Sequence, residues 1–153
     1  MTRSLGKTLR NGGFSVELDR NFAAVIDCCA APRPQSAGTW ITTEMRSAYV
    51  RLHQLQYAHS IEAYRNEVLV GGLYGVRLGS VFFGESMFSK ERDASKVALA
   101  HLVNLCNRNG IAVIDCQMPT PHLESLGSRA IARSQFQYLL REHIEVAPRP
   151  LLG

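Results

Sequence analysis

The hydrophobic positions change period several times along the chain, and each change predicts an element. Phe14, Val16 and Leu18 alternate with Ser15 and Glu17, the pattern of a half-buried strand over 14–18. Phe22, Val25, Ile26 and Cys29 recur at helical spacing, which predicts an amphipathic helix over 20–31 with Asp19 as its N-cap. Pro32 and Pro34 end it and open a loop to Gly38. Thr42 suits the cap of a second helix whose inner stripe is Met45, Ala48, Tyr49 and Leu52. Three strand-like runs follow at 58–64, 68–77 and 80–88, with Asn66-Glu67 and Leu78-Gly79 at the turns, and predict an antiparallel meander. Asp93 caps a helix with Ala98, Leu99, Leu102, Val103 and Cys106 on its stripe, and Asn109-Gly110 stops it. Ile111 to Ile114 is apolar throughout, the mark of a strand buried on both faces. Short helices at 121–127 and 134–143 finish the chain.

This order predicts one α/β (α+β) domain over 1–153, a mixed, mostly antiparallel sheet flanked by helices. At 153 residues and 46% hydrophobic content, the chain can bury a full core. No apolar run nears the roughly 18 residues that span a bilayer, and no signal-peptide core follows the basic start. A cytoplasmic protein without membrane association is expected. Cys28, Cys29, Cys106 and Cys116 sit in apolar segments without zinc spacing, so they read as buried, reduced thiols, and no metal is expected. The net charge of +4 is mild. Lys90, Arg92 and Lys96 cluster, which fits either an ordinary solvated surface or a phosphate-bearing partner.

Three places carry candidate chemistry. Asp115 and Gln117 are two apart on a strand, hence on one side, at the end where open α/β sheets place ligands. Glu85 interrupts an apolar strand, so it must face a cleft or pair with a cation such as Lys96, and Gly84 beside it marks a bulge. Trp40, the sole tryptophan, sits at a loop-to-helix junction and serves either to stack on a base or to anchor the core. His59 and His122 read as hydrogen-bonded structural groups.

The element order resembles the GNAT acyltransferase fold, in which central strands part and the acyl donor lies between them. Acetyl-CoA users of that fold need a glycine-rich turn that lets the backbone approach the pyrophosphate. The corresponding turn here, Phe88 to Lys96, has no glycine and carries Glu91 and Asp93. Coenzyme A is therefore not the expected donor.

Seven segments then occur in a telling order: Gly38-Thr39-Trp40-Ile41, Tyr49-Val50-Arg51-Leu52-His53, Ala58-His59-Ser60-Ile61-Glu62, Leu69-Val70-Gly71-Gly72-Leu73-Tyr74-Gly75, Gly84-Glu85-Ser86-Met87-Phe88-Ser89, Ile114-Asp115-Cys116-Gln117, and His122 with Ser125-Leu126-Gly127. Together they resemble the leucyl/phenylalanyl-tRNA–protein transferase family. The resemblance implies transfer of Leu or Phe, with Met as a further donor, from charged tRNA to the N-terminal Arg or Lys of a protein, within the N-degron pathway. Charged tRNA and the acceptor protein are the implied partners, and the chain is expected to act as a monomer. The ester is already activated, so no cofactor, metal or ATP is implied. The resemblance casts Asp115 and Gln117 in peptide-bond formation and Glu85 beside the aminoacyl-adenosine. It places Trp40 by the terminal base with Tyr49 below to support it, and Leu73, Phe82, Met87, Leu99, Leu102, Cys106 and Ile114 around the donor side chain. Lys90, Arg92 and Lys96 become tRNA phosphate contacts. By their types alone, those seven apolar residues also read as core. Family members carry larger side chains at the positions of Leu102 and Cys106, and also a small N-terminal domain with no counterpart in this sequence. Two other readings compete: a relative that binds charged tRNA or N-terminal peptides without transfer, and a GNAT-type N-acetyltransferase.

Overall fold

The computed structural model describes residues 6, 8, 9, 12–31, 41–117, 119–147, 150 and 151. Among them the elements run β1 (Ser15–Leu18), α1 (Phe22–Ala30), α2 (Thr43–Gln54), β2 (Ala58–Arg65), β3 (Val68–Leu78), β4 (Val81–Ser89), α3 (Ala94–Arg108), β5 (Val113–Asp115), α4 (Pro121–Ser125) and α5 (Arg133–His143). The strands form one sheet in the order β1-β2-β3-β4-β5. The first three pairings are antiparallel, and α3 carries the chain over to a parallel β5. This is the expected α/β architecture, with the meander in its predicted place. Asn66 and Glu67, with φ of 49° and 63°, supply the left-handed pair that a two-residue hairpin requires.

Helices cover both faces. On one, Leu99, Leu102, Leu105 and Cys106 of α3 pack on Ile61, Leu73 and Phe82. On the other, Phe22, Val25, Ile26 and Cys29 of α1 pack on Ala58, Tyr74 and Phe88. Burial of each such Leu, Ile or Phe stabilises the fold by about 1.5–3 kcal/mol. The approach of α3 is set by Gly71, where a Cβ would lie 2.5 Å from that of Ala94. All four cysteines are free thiols, but only Cys29 and Cys106 are buried, while Cys28 and Cys116 are half-exposed.

Several expectations need correction. Asn21, not Asp19, caps α1, its side chain accepting the Ala24 N–H. Asp19 adopts a left-handed φ of 57° and ties the turn to β2, accepting the Ser60 N–H at 2.8 Å and facing His59 Nδ1 at 2.7 Å. Both residue types cap helices, and only tertiary contacts decide between them. Asp93 does sit at the N-cap position of α3 but is left-handed, and its carboxylate takes Lys96 rather than a helix N–H. The segment 111–114 is not a strand buried on both faces. Only Ile111 is buried there, and β5 is a three-residue, half-buried strand with β4 as its neighbour in the sheet.

The C-terminal end of α5 docks on the β3–β4 turn, where Ser80 donates its N–H to the His143 carbonyl at 2.9 Å. Gly79 makes the docking possible. Its φ is +59°, and a Cβ there would lie 2.4 Å from the carbonyl oxygens of His143 and Ile144.

Candidate active site

Strands β4 and β5 part soon after they pair. Their register is Val81 with Val113, Phe82 with Ile114 and Phe83 with Asp115, after which β5 ends and β4 continues to Ser89. At the parting point a Cβ on Gly84 would lie 3.3 Å from the Asp115 carbonyl oxygen. The β3–β4 register shifts at the same place: Tyr74 opposes Ser86 and Gly75 opposes Gly84, so Glu85 is the extra residue of a bulge. The bulge resets the alternation, sending Met87 to the α3 face and Phe88 to the α1 face. It turns Glu85 into a groove on the α2 face, about 420 Å³ in volume, lined by Met45, Ala48, Tyr49, Leu52, Val76, Leu78 and Phe83.

No basic side chain among the described residues pairs with Glu85. Lys96, the cation weighed as its alternative partner, is 2.8 Å from Asp93 instead. Tyr49 donates its hydroxyl to Glu85 Oε2 at 2.9 Å, and burial together with that carboxylate pushes the Tyr49 phenol well up. The α2 stripe that reads as core in the sequence contains no buried residue and lines this groove. Met45, Ala48, Leu52 and Phe83 are therefore groove residues that the sequence pattern does not separate from core, because a groove wall and a core stripe share one periodicity.

Asp115 is in register with Phe83, so it belongs to the groove side, whereas Ile114 and Cys116 face the other way. Gln117 lies beyond β5 with φ of 62°, so strand alternation does not place its side chain beside that of Asp115. The two are joined differently: the Gln117 N–H donates to Asp115 Oδ1 at 2.8 Å. That bond fixes one carboxylate oxygen.

On the α3 face, Ile114 and Cys116 line an apolar cavity of about 430 Å³ together with Leu99, Ala100, Val103, Leu123 and Leu126. A cavity of this size suits a small ligand group. Burial, followed by the Asp115 charge, raises the Cys116 thiol above its usual range. Of the seven apolar residues named from the sequence, Leu99 and Ile114 line the cavity. Leu73, Phe82, Leu102 and Cys106 are 0–3% exposed and packed among themselves, and Met87 is packed against them. In this conformation they are core, and burial pushes the Cys106 thiol up to about 12. Ala100, Val103, Cys116, Leu123 and Leu126 line the cavity without having been singled out as a pocket.

The sequence profile described as leucyl/phenylalanyl-tRNA protein transferase matches residues 1–141. The chain belongs to that family. A leucyl/phenylalanyl-tRNA–protein transferase of Azotobacter vinelandii is 55% identical over 146 residues, covering 95% of this chain and 65% of the relative. Relatives of the same name from Pseudomonas fluorescens and Azoarcus sp. are 52% and 58% identical, over 99% and 89% of this chain. The chain spans 58 to 67% of the length of these three relatives. Among solved structures, the fold is similar to a ribosomal-protein-alanine N-acetyltransferase from Brucella melitensis biovar Abortus 2308, with a TM-score of 0.57 at 13% identity over 77% of this chain and 91% of that one. It is also similar to an aminoglycoside acetyltransferase from an uncultured soil metagenomic sample, with a TM-score of 0.57 at 11% identity over 80% and 95%. At these identities the likeness speaks to the fold alone, and that fold is the GNAT acyltransferase fold the element order anticipated.

The turn that enters α3 engages several of its own backbone N–H groups. Here the N–H groups of Lys90 and Glu91 donate to Val70 O, that of Ala94 to Glu91 O and that of Ser95 to Ser89 Oγ. Those donors are already used, which leaves the turn poorly suited to a pyrophosphate. The basic cluster is uneven: Arg92 is 95% exposed, Lys90 lies over the Phe88 ring, and Lys96 is held by Asp93. Trp40 falls outside the described residues, so the base-stacking expectation for it is not placed. His59 meets its structural expectation, with Asp19 and the Gln56 carbonyl on its two ring nitrogens. No three His, Cys, Asp or Glu side chains among the described residues are grouped to hold a metal. No helix among them is long and apolar enough to cross a membrane.

Proposed function

We propose that this chain carries the acyl-transfer centre of an aminoacyl-tRNA–protein transferase, moving Leu or Phe from charged tRNA onto proteins that begin with Arg or Lys. The observation that carries this reading is the pair Glu85 and Asp115, set on the two parting strands without a basic partner among the described residues. An apolar cavity lies on one side of them and an acid-bearing groove on the other. The donor's side chain occupies the cavity, the acceptor's basic residue enters the groove, and the ester lies at the gap between β4 and β5.

The step is aminolysis. The acceptor's nitrogen forms a bond to the ester carbon, the carbon–oxygen bond to the ribose breaks, and a proton passes from the nitrogen to the leaving ribose oxygen. An α-amine with a pKa of about 8 is mostly protonated at neutral pH, so its neutral minority attacks, and a carboxylate beside it takes the proton that the nitrogen sheds as the bond forms and passes it on to the ribose oxygen. Asp115 serves in that role, with one oxygen fixed by the Gln117 N–H and the other left for the amine. Gln117 acts through this turn and through its exposed side chain, which orients the substrates. The ester supplies the free energy, so the reaction calls for no metal, ATP or other cofactor. The occupied N–H groups before α3 favour a donor other than coenzyme A, and the exposed Lys90 and Arg92 offer charge to tRNA phosphates. The protein is proposed to work as a monomer in the cytoplasm, marking its acceptors for degradation.

Incubation with Phe-tRNA and an Arg-starting peptide, read by mass spectrometry, is expected to give the Phe-capped peptide. Tight binding of charged tRNA without product, from folded protein, would instead identify a binding-only relative.

A further inference from the structure

Behind the groove lies a buried polar group that the proposed reaction does not use. Tyr74 is fully buried (0% exposed) on the α1–α2 side of the sheet. Its ring meets Phe22 edge-on at 5.7 Å and Tyr49 edge-on at 5.1 Å between centroids. Its hydroxyl has no hydrogen-bond partner among the described residues. A buried hydroxyl in that state is less favourable than the hydrogen of a phenylalanine in the same ring position, so stability of the empty protein does not account for it. Among the described residues, the ionisable groups that act on it are Tyr49, Cys29 and Glu85, and burial holds the phenol firmly protonated, as a donor. Two of those three, Tyr49 and Glu85, are the hydrogen-bonded pair of the groove.

We propose that Tyr74 is a positioning residue for the groove carboxylate: when a cationic side chain enters and draws on Glu85, the Tyr74 hydroxyl donates into the Tyr49–Glu85 pair and holds it in place. The hydroxyl is unpartnered in the empty groove and partnered in the filled one, so its hydrogen bond adds to affinity for a cation rather than to folding. Tyr49 already donates to Glu85, and a phenol that gains an incoming hydrogen bond donates more strongly itself. The bulge at Glu85 offers no ladder partner to fix the carboxylate, and a second donor from behind makes up for that. This inference rests on the reading of the groove as the acceptor side.

The test is calorimetric binding of arginine amide, a probe that needs no transfer, to the wild-type chain, Tyr74→Phe, Glu85→Gln and the double variant, with norleucine amide as the uncharged control. Tyr74→Phe is expected to melt at or above the wild-type temperature. It is also expected to weaken arginine amide by about fivefold, the size of one hydrogen bond, and to leave norleucine amide unchanged. In the Glu85→Gln background it should cost nothing further. Equal affinity in wild type and Tyr74→Phe, a lower melting temperature for the variant, or no binding of arginine amide to the wild type would each overturn the proposal. If the binding pattern holds and no peptide is ever capped, the transfer reading fails and the role of Tyr74 stands.

Discussion

Glu62 and Glu85 lie on strands of one sheet and have opposite surroundings. Glu62 is fully buried and accepts from the Asn21 N–H, the Ser60 hydroxyl and the Tyr64 hydroxyl at 2.7–2.8 Å, locking α1 to β2. Removing it strands three donors, so Glu62→Ala is expected to lose about 3 kcal/mol or more in denaturant unfolding. Glu85→Gln keeps an acceptor for Tyr49 and is expected to stay within about 1 kcal/mol of wild type while losing acceptor binding. A smaller effect belongs to Asp93. The Lys96 hydrogen bond holds its carboxyl below the usual Asp range, so its stabilisation is present above that range and fades as the pH falls through the lowered value. Asp93→Asn, which tolerates the left-handed backbone, should therefore lower stability by about 0.5 kcal/mol at pH 7 and by nothing near pH 2, as read from urea midpoints. At this scale Glu85 was legible, since an acid beside a glycine in an apolar strand needs a reason. The role of Glu62 was not, because nothing local distinguishes it from an outward-facing glutamate.

Elements were legible where period and turn chemistry agreed, as in the β2–β3–β4 meander with its Asn66-Glu67 turn. They were misread where an apolar stripe faces an opening. The α2 residues Met45, Ala48 and Leu52 line a groove, and Val103 of α3 lines the cavity, because helical spacing says which face is apolar and not what covers it. Strand β5 was overread for a related reason: four apolar residues, Ile111 to Ile114, cannot reveal that only Val113 and Ile114 among them pair, together with Asp115, along a neighbour that then departs. Two substitutions test the elements as described. Gly79→Ala forces a Cβ against the last carbonyls of α5 at a positive φ and is expected to destabilise by about 1–3 kcal/mol, with α5 amides losing hydrogen-exchange protection first. Ala100→Leu partly fills the cavity beside Ile114. It should weaken a phenylalanyl-adenosine analogue about tenfold in equilibrium binding and leave arginine amide binding unchanged.

Across the whole molecule, the sheet separates two chemistries. The α3 face presents an apolar cavity, the α2 face an acid-bearing groove, and the two come together where β4 and β5 part at Phe83 and Asp115. That division suits a reaction whose donor carries an apolar side chain and whose acceptor carries a positive one. Membership of the family was legible from short motifs, and three of them, Ile114 to Gln117, Gly84 to Ser89 and Tyr49 to His53, sit at the parting strands, at the bulge and on the wall of the groove. The measurement that bears most directly on the central claim is single-turnover transfer from Phe-tRNA to an Arg-starting peptide by Asp115→Ala, with tRNA binding measured in parallel. A loss of about 10²–10⁴ in rate, with tRNA affinity within about twofold of wild type, is the predicted result. Equal losses in rate and affinity, or a rate equal to wild type, would contradict it.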